Sequence, residues 1–292
     1  MKILAHGHYS ATVDESLPPL KELVKETTGE AVRRVGRFIQ LALIGAGRCL
    51  QGMQAPSDTA VYLTSGRGDL EITLEVLEQM VEHGLPPKPL SFINTVSNSA
   101  CFYLAKHFAL HGRSHFVTRR HAPLESVLQL ALLDMAEGSV QTALLGSVDI
   151  CTAPLSDHRK RLAVASDTAV GEGSHWFLLA QDNHPAHGIG RIVAVETLVD
   201  EQALRDWLAA QPLARTDTVF AAGQHVTTGN ADALQACTGI AQRFTHSPSL
   251  PWYDSHCGHT LGQFLTQQPA GQLLHIDRDA SGRYNVLLAS LP

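Results

Sequence analysis

The chain has 292 residues, 44% of them hydrophobic and 17% charged, with a formal net charge of -6. That length buries a sizeable core and fits one large domain or two of ordinary size. Without a basic run, or basic residues interleaved with aromatics, nucleic acid is excluded as an expected partner. The longest apolar stretches, residues 38–46 and 128–133, fall far short of the roughly 20 residues that span a bilayer. Residues 1–9 lack a signal-peptide pattern. Cys49, Cys101, Cys151, Cys237 and Cys257 are odd in number, widely spaced and free of any CxxC. That usage points to reduced thiols and a cytoplasmic protein.

In chain order, residues 2–8 read as a strand and 33–50 as a helix apolar on most faces, hence buried. Residues 59–64 (TAVYLT) read as a strand ending in a turn at Ser65-Gly66-Arg67-Gly68. Asp69 caps an amphipathic helix over 69–83, and Gly84 ends it. After a proline-rich connector, 90–96 reads as a strand that turns sharply at Val96-Ser97-Asn98 into a helix over 99–111. A strand at 114–119 and a helix at 123–137, with Pro123 in its first turn, follow. The continuous apolar centre of 141–150 suits a strand covered on both faces. Residues 174–181 and 190–198 look like antiparallel partners, with 182–188 (DNHPAHG) as a turn or a join between halves. The rest reads as a helix at 201–210, a strand at 217–222, helices at 231–244 and 258–267, and a closing hairpin of 273–277 with 283–288. Alternating strands and helices predict an α/β fold.

Four segments, in this order, resemble the β-ketoacyl synthase branch of the thiolase superfamily. Residues 33–42 (RRVGRFIQLA) resemble its buried helix, and 94–100 (NTVSNSA) the strand-to-helix elbow that presents its catalytic cysteine. Residues 170–174 (VGEGS) resemble its glycine-rich turn before a strand, and 255–262 (SHCGHTLG) its Gly-His helix start. The resemblance covers most of residues 30–180 and thins beyond Gly190. It implies a thiolase-like fold: two βαβαβ-type halves, layered α-β-α-β-α, with the second half truncated. The expected division is 1–185 and 186–292 within one continuous unit.

The resemblance also assigns the site. The cysteine position falls on Ser97, where a hydroxyl replaces a thiol. A thiolate gains from the positive end of a helix dipole, whereas a hydroxyl needs an adjacent base. Cys101, one turn on, reads as a small buried hydrophobe. The first family histidine falls on His225, or on Gln224 with His225 displaced by one. The second falls on His259, and the family lysine five residues earlier falls on Asp254, a charge reversal. Of the family's gating loop, only Gly282 and Asn285 are arguably retained. Neither a cofactor nor a metal is expected, because His256-Cys257-x-His259 and Asp157-His158 lack regular zinc spacing.

Together these features resemble a chain-length factor, the cysteine-less homologue that pairs with a catalytic synthase. They imply a non-condensing heterodimer partner in fatty acid, polyketide or aryl-polyene-type synthesis. The strand at 113–119 would pair across the two-fold. An acyl carrier protein would be met through the complex, with Arg33, Arg34, Arg37, Arg119, Arg120, Arg159, Lys160 and Arg161 as pieces of a basic patch. The competing reading is a serine-dependent acyltransferase or acyl hydrolase using Ser97 and His259.

Overall fold

The computed structural model describes residues 1–14, 16–30, 32, 34–96, 98–244, 250–268 and 270–292. The chain opens with β1 (Lys2–Val13), α1 (Lys21–Thr28), α2 (Arg37–Cys49), β2 (Ala60–Ser65), α3 (Leu70–Val81) and α4 (Pro89–Asn94). It continues through α5 (Ser99–His107), β3 (Ser114–Thr118), α6 (Pro123–Ala136), β4 (Thr142–Asp149), α7 (Leu155–Leu162) and β5 (Val170–Ala180). Then come β6 (Gly190–Leu198), α8 (Glu201–Ala210), β7 (Thr218–Ala222), α9 (Thr228–Thr238), β8 (Gln242–Arg243), α10 (His256–Gln267), β9 (Gln272–Arg278) and β10 (Tyr284–Ser290).

The strand order is β3-β2-β4-β5-β1-β6-β10-β9-β7-β8. Read inward from each outer edge, β3-β2-β4-β5-β1 and β8-β7-β9-β10-β6 are the same arrangement. Parallel pairs lie outside, β2 with β3 and β4, and β7 with β8 and β9. Antiparallel pairs lie inside. The second five strands therefore repeat the topology of the first five. The two sets join only where Lys2 pairs with Arg191 and Ile3 with Gly190.

Packing resolves this sheet into layers. Helix α6 touches β2 and β4 of the first half and β6 and β10 of the second, while α10 touches β1, β5 and β9. Both helices therefore lie between the halves, and they contact each other. The apolar cluster around them joins Leu124, Val127 and Leu128 of α6 to Leu261 and Phe264 of α10, with Phe177 and Leu287 from the two sheets. A second cluster, built on α2, covers the outer face of the first half, and a third, built on α8 and α9, covers the second. This is the α-β-α-β-α layering of the thiolase fold. Helix α2 buries ten of its thirteen residues. Its Gly45, and Gly146 on β4, leave room for the fully buried Trp176: a Cβ on Gly146 would sit 2.1 Å from the Trp176 ring. Among the described residues, the second half carries three helices against seven in the first, which is its truncation.

Four local expectations are corrected. Residues 90–96 are not a strand; Pro89 opens the helix α4, whose Leu90, Phe92 and Ile93 lie exposed. Strands β5 and β6 are not partners, because β1 runs between them. The glycines at 171 and 173 sit inside β5 rather than in a turn before it. The helix expected at 231–244 ends at Thr238, where Gly239 turns left-handed, and β8 follows. Among the described residues, no helix is long and apolar enough to cross a membrane.

Candidate functional site

Between β3 and α6 the chain makes a tight elbow. Ala122 takes a left-handed conformation (φ 50°, ψ 51°), and Pro123 begins the helix. The Ala122 carbonyl accepts from the Ser126 N–H at 3.1 Å and the Ser126 hydroxyl at 2.8 Å, while Arg119 donates to that hydroxyl at 2.7 Å. A left-handed non-glycine residue costs about 1–2 kcal/mol. Here three hydrogen bonds hold it. By the topological repeat, α6 between β3 and β4 is the counterpart of α10 between β8 and β9.

The elbow opens onto a cavity of about 730 Å³, which His121, Arg120 and Arg67 line from the first half, and His225, Trp252 and Asp254 from the second. Of the described residues that line it, none is a cysteine or serine; Ala122, next to lining His121, is buried at the elbow and has only a methyl group. Arg161 and Arg278 add further positive charge to its wall.

His225 is held on two sides. Its Nδ1 lies 2.7 Å from Asp277 Oδ2, and its backbone N–H donates to Asp277 Oδ1 at 3.2 Å. The ring meets His121 at 5.1 Å and Trp252 at 5.3 Å, both edge-on. Burial lowers its pKa, but the Asp277 hydrogen bond, with the charges of Asp277, Asp254 and Glu125, outweighs that and leaves it above the ordinary value. Such an imidazole can hold a proton facing the cavity. Gln224 is spent on structure, its Nε2 donating to the Tyr253 carbonyl at 2.6 Å. Both alternatives left open by the sequence line the cavity: Gln224 ties down the 252–254 segment, and His225 brings a titratable ring.

Asp254 forms an ion pair with Arg67, whose Nε donates to Oδ2 at 2.9 Å. A guanidinium from the first half thus brings a cation to the place where the resemblance put a lysine. Burial pushes the Asp254 carboxyl up to about 6, reinforced by neighbouring Asp149 and opposed by Arg67. Asp149 is itself raised by burial, although Ser65, the Gly66 N–H and Ser255 all donate to it. Gly66 has to be glycine, since a Cβ there would lie 2.2 Å from Asp254.

His259 belongs to a different neighbourhood. It is buried in α10, edge-on to His175 at 5.5 Å and to His8 at 6.5 Å, with His256 beside it. His6 stacks on His8 at 5.2 Å, and Tyr253 shares a 2.9 Å hydrogen bond with His175. The structure therefore sets His225 on the cavity wall and His259 in a stack of histidine rings behind it.

Ser97 lies outside the described residues. Its flanking helices α4 and α5 pack on α3, α2, β2 and β3, and none of their residues lines the cavity. Cys101 is buried, donates to the His115 carbonyl at 3.6 Å, and is pushed up to about 12 by burial, as an inert core thiol should be. Sequence reasoning missed His121 and Arg67. The sequence did carry a signal for the first: a strand at 114–119 followed within a few residues by Pro123 at a helix start is itself an elbow.

No protein-family profile and no curated protein sequence matches this chain. Solved structures do. The structure entitled "The ishigamide ketosynthase/chain length factor" superposes with a TM-score of 0.78 at 18% identity, covering 99% of each chain. The fold is that of the β-ketoacyl synthases and their chain-length factors. A type II polyketide ketosynthase in complex with its acyl carrier protein gives a TM-score of 0.72 at 10% identity, over 100% of this chain and 99% of that one. A β-ketoacyl synthase from Burkholderia phymatum gives 0.67 at 13%, over 88% of this chain and 83% of the other. In this synthase-type fold, the cavity lies where the middle helix α6 begins and the second-half histidine turn faces it.

Proposed function

We propose that this chain is a non-condensing, chain-length-factor-like partner of a catalytic β-ketoacyl synthase, in a cytoplasmic fatty acid or polyketide-type pathway that includes the aryl-polyene class. One observation carries the reading: none of the described residues that line the cavity is a cysteine or serine, and the elbow residue next to lining His121 is Ala122. A methyl group cannot attack a thioester, so the covalent step of condensation has no nucleophile at that place. His225 on the cavity wall, with His259 in the ring stack behind it, would then be what is retained of such a site.

Three further features support the reading. Strand β3 is the sheet edge, partly exposed and with one side unpaired, as a strand that pairs across a two-fold would be. Beside it in sequence, α4 exposes Leu90, Phe92 and Ile93, α5 exposes Phe102, and Val96 between them is exposed too, a set of large apolar side chains that a partner would cover. The arginines around the cavity suit the phosphate of a carrier-bound acyl arm. A serine-dependent acyltransfer would need Ser97 to reach His259, and no observation favours it.

The test is direct. Co-expressed with a catalytic ketosynthase from its own genome, the chain should form a one-to-one complex by size exclusion with light scattering. Phe102→Asp combined with Ile93→Asp should weaken that complex at least tenfold, about 1.4 kcal/mol. Alone, it should give no adduct by intact mass with acyl-coenzyme A or an acyl carrier. Extension of a carrier-bound acyl group with malonyl units by the isolated chain would sink the proposal.

A further inference from the structure

Directly behind the elbow lies a group of side chains that this function does not use. Glu125, in the first turn of α6, meets Cys257 in the first turn of α10 and His275 in the middle of β9. Among the described residues this is the one group of three whose donor atoms all lie within 4.8 Å of one another. All three are buried, Glu125 and His275 to within 1% of complete. His275 Nδ1 stands 3.6 Å from Glu125 Oε1, too far for a hydrogen bond. Glu125 shares a hydrogen bond with the Cys257 thiol, while its Oε2 has no hydrogen-bond partner among the described residues. Burial pushes the Glu125 carboxyl up to about 7, so it is ionised inside the core at low cost only beside a compensating charge.

We propose that Glu125, Cys257 and His275 bind one zinc-type divalent cation, which ties the two middle helices to the second sheet. The donor set decides the metal class. One thiolate, one imidazole and one carboxylate match zinc, whose bonds of about 2.0–2.3 Å place tetrahedral donors about 3.3–3.7 Å apart. The 3.6 Å separation of Nδ1 and Oε1 already falls in that range, and the pairs with Sγ lie within 4.8 Å, so closure by about 1 Å completes the site. Charge balances as well. The thiol and carboxyl protons leave on binding, and thiolate and carboxylate together neutralise the ion inside the core. A water completes the fourth position, because Asp277, two residues along β9, is held by His225. Such a site is structural. It would fix the first half to the second just where the fold's chemistry has been lost.

The sequence hides this set, because Cys257 sits between two histidines that face elsewhere. On a helix, neighbours at i±1 and i±2 do not share a face. His259 turns to the ring stack and Cys257 to α6.

The experiment is metal analysis of the intact chain, expressed with zinc and then dialysed. About one zinc per chain is expected. After exchange, cobalt(II) should show a near-ultraviolet sulfur-to-metal charge-transfer band, which Cys257→Ser abolishes. Glu125→Gln, nearly isosteric, should keep the far-ultraviolet circular dichroism of the parent yet lose the metal. Folded parent protein without zinc, or a cobalt spectrum lacking the sulfur band, overturns the proposal. So does a band that survives Cys257→Ser. Because the parent chain alone decides, a variant that fails to fold does not rescue it, and none of these readouts depends on a synthase partner.

Discussion

The two halves of this molecule are copies in topology and opposites in condition. In the first, α6 starts from an elbow at which Ala122 is left-handed and carries only a methyl group. In the second, α10 starts with Ser255-His256-Cys257-Gly258-His259, and the neighbouring turn holds His225 against Asp277. Backbone geometry and chemical group are therefore separable. The β3–α6 turn follows from two packed layers that must be joined by a short connection, and it persists whatever side chain it displays. The outer layers differ too: with α6 and α10 in the middle layer, the described residues put six helices outside the first half and two outside the second.

The sharpest way to break this comparison is through charge. In the first half, Arg37 grips Glu172 with both arms, Nε to Oε2 at 2.6 Å and Nη2 to Oε1 at 2.5 Å, with Glu172 wholly buried on β5. Glu172→Ala leaves a buried guanidinium unpaired and should cost about 3–5 kcal/mol in urea unfolding. The second-half pair Arg243–Asp232 is similarly short at 2.8 Å but largely exposed. Asp232→Ala should cost less than about 1 kcal/mol. Equal losses would mean that the halves do not differ in this way.

Acid provides the next contrast. His6, pulled down to about 4 chiefly by burial and further by His8 and His259, is neutral in the fold and readily charged once unfolded. His175, wholly buried, is lowered well below its usual value for the same first reason. A depressed histidine stabilises the protein only above its unfolded pKa, so stability should fall as pH drops from about 6.5 towards 4. His6 alone contributes on the order of 3 kcal/mol. His225 runs the other way. Its raised pKa adds stability below about 6.5 that is lost as pH rises through the folded value. Urea midpoints at pH 7 and pH 5 should show a net acid loss. His6→Phe should flatten it and Asp277→Asn should steepen it.

Local signals in the sequence carried the elements well. Asp69 caps α3 as read, its side chain accepting from the Ile72 N–H, and Pro123 opens α6. The motif order led to the thiolase fold, even where single motifs fell in different elements. What failed was long-range. Residues 90–96 carry a strand-like apolar run, yet with no neighbouring strand to pair they form a surface helix, and sequence spacing cannot reveal that. The same gap hid the β1 insertion between β5 and β6. The β3–α6 turn makes an elbow of the kind expected at 94–100, with a sheet beneath it, and the sequence reading did not single it out. His225 was legible as a turn histidine. Its partner Asp277 lies a whole βαβ unit away, and only the fold joins them.

The smallest effect tests the elbow itself. Ala122 and Ala109 both have left-handed backbones, φ 50° and 52°, but only Ala122 stands at the cavity elbow. Glycine removes a strain of about 1–2 kcal/mol and adds unfolded-state entropy worth about 0.5–1 kcal/mol, so each substitution should stabilise by about 0.5–1 kcal/mol. The elbow differs in its bracing, since Ser126 donates twice to the Ala122 carbonyl. Those bonds fix the conformation without relieving the Cβ clash, so glycine should help at 122 as much as at 109. If thermal unfolding shows Ala109→Gly stabilising and Ala122→Gly neutral, the buried Ala122 methyl makes favourable packing contacts that offset its strain. The residue would then be fitted to its place by packing rather than merely tolerated there.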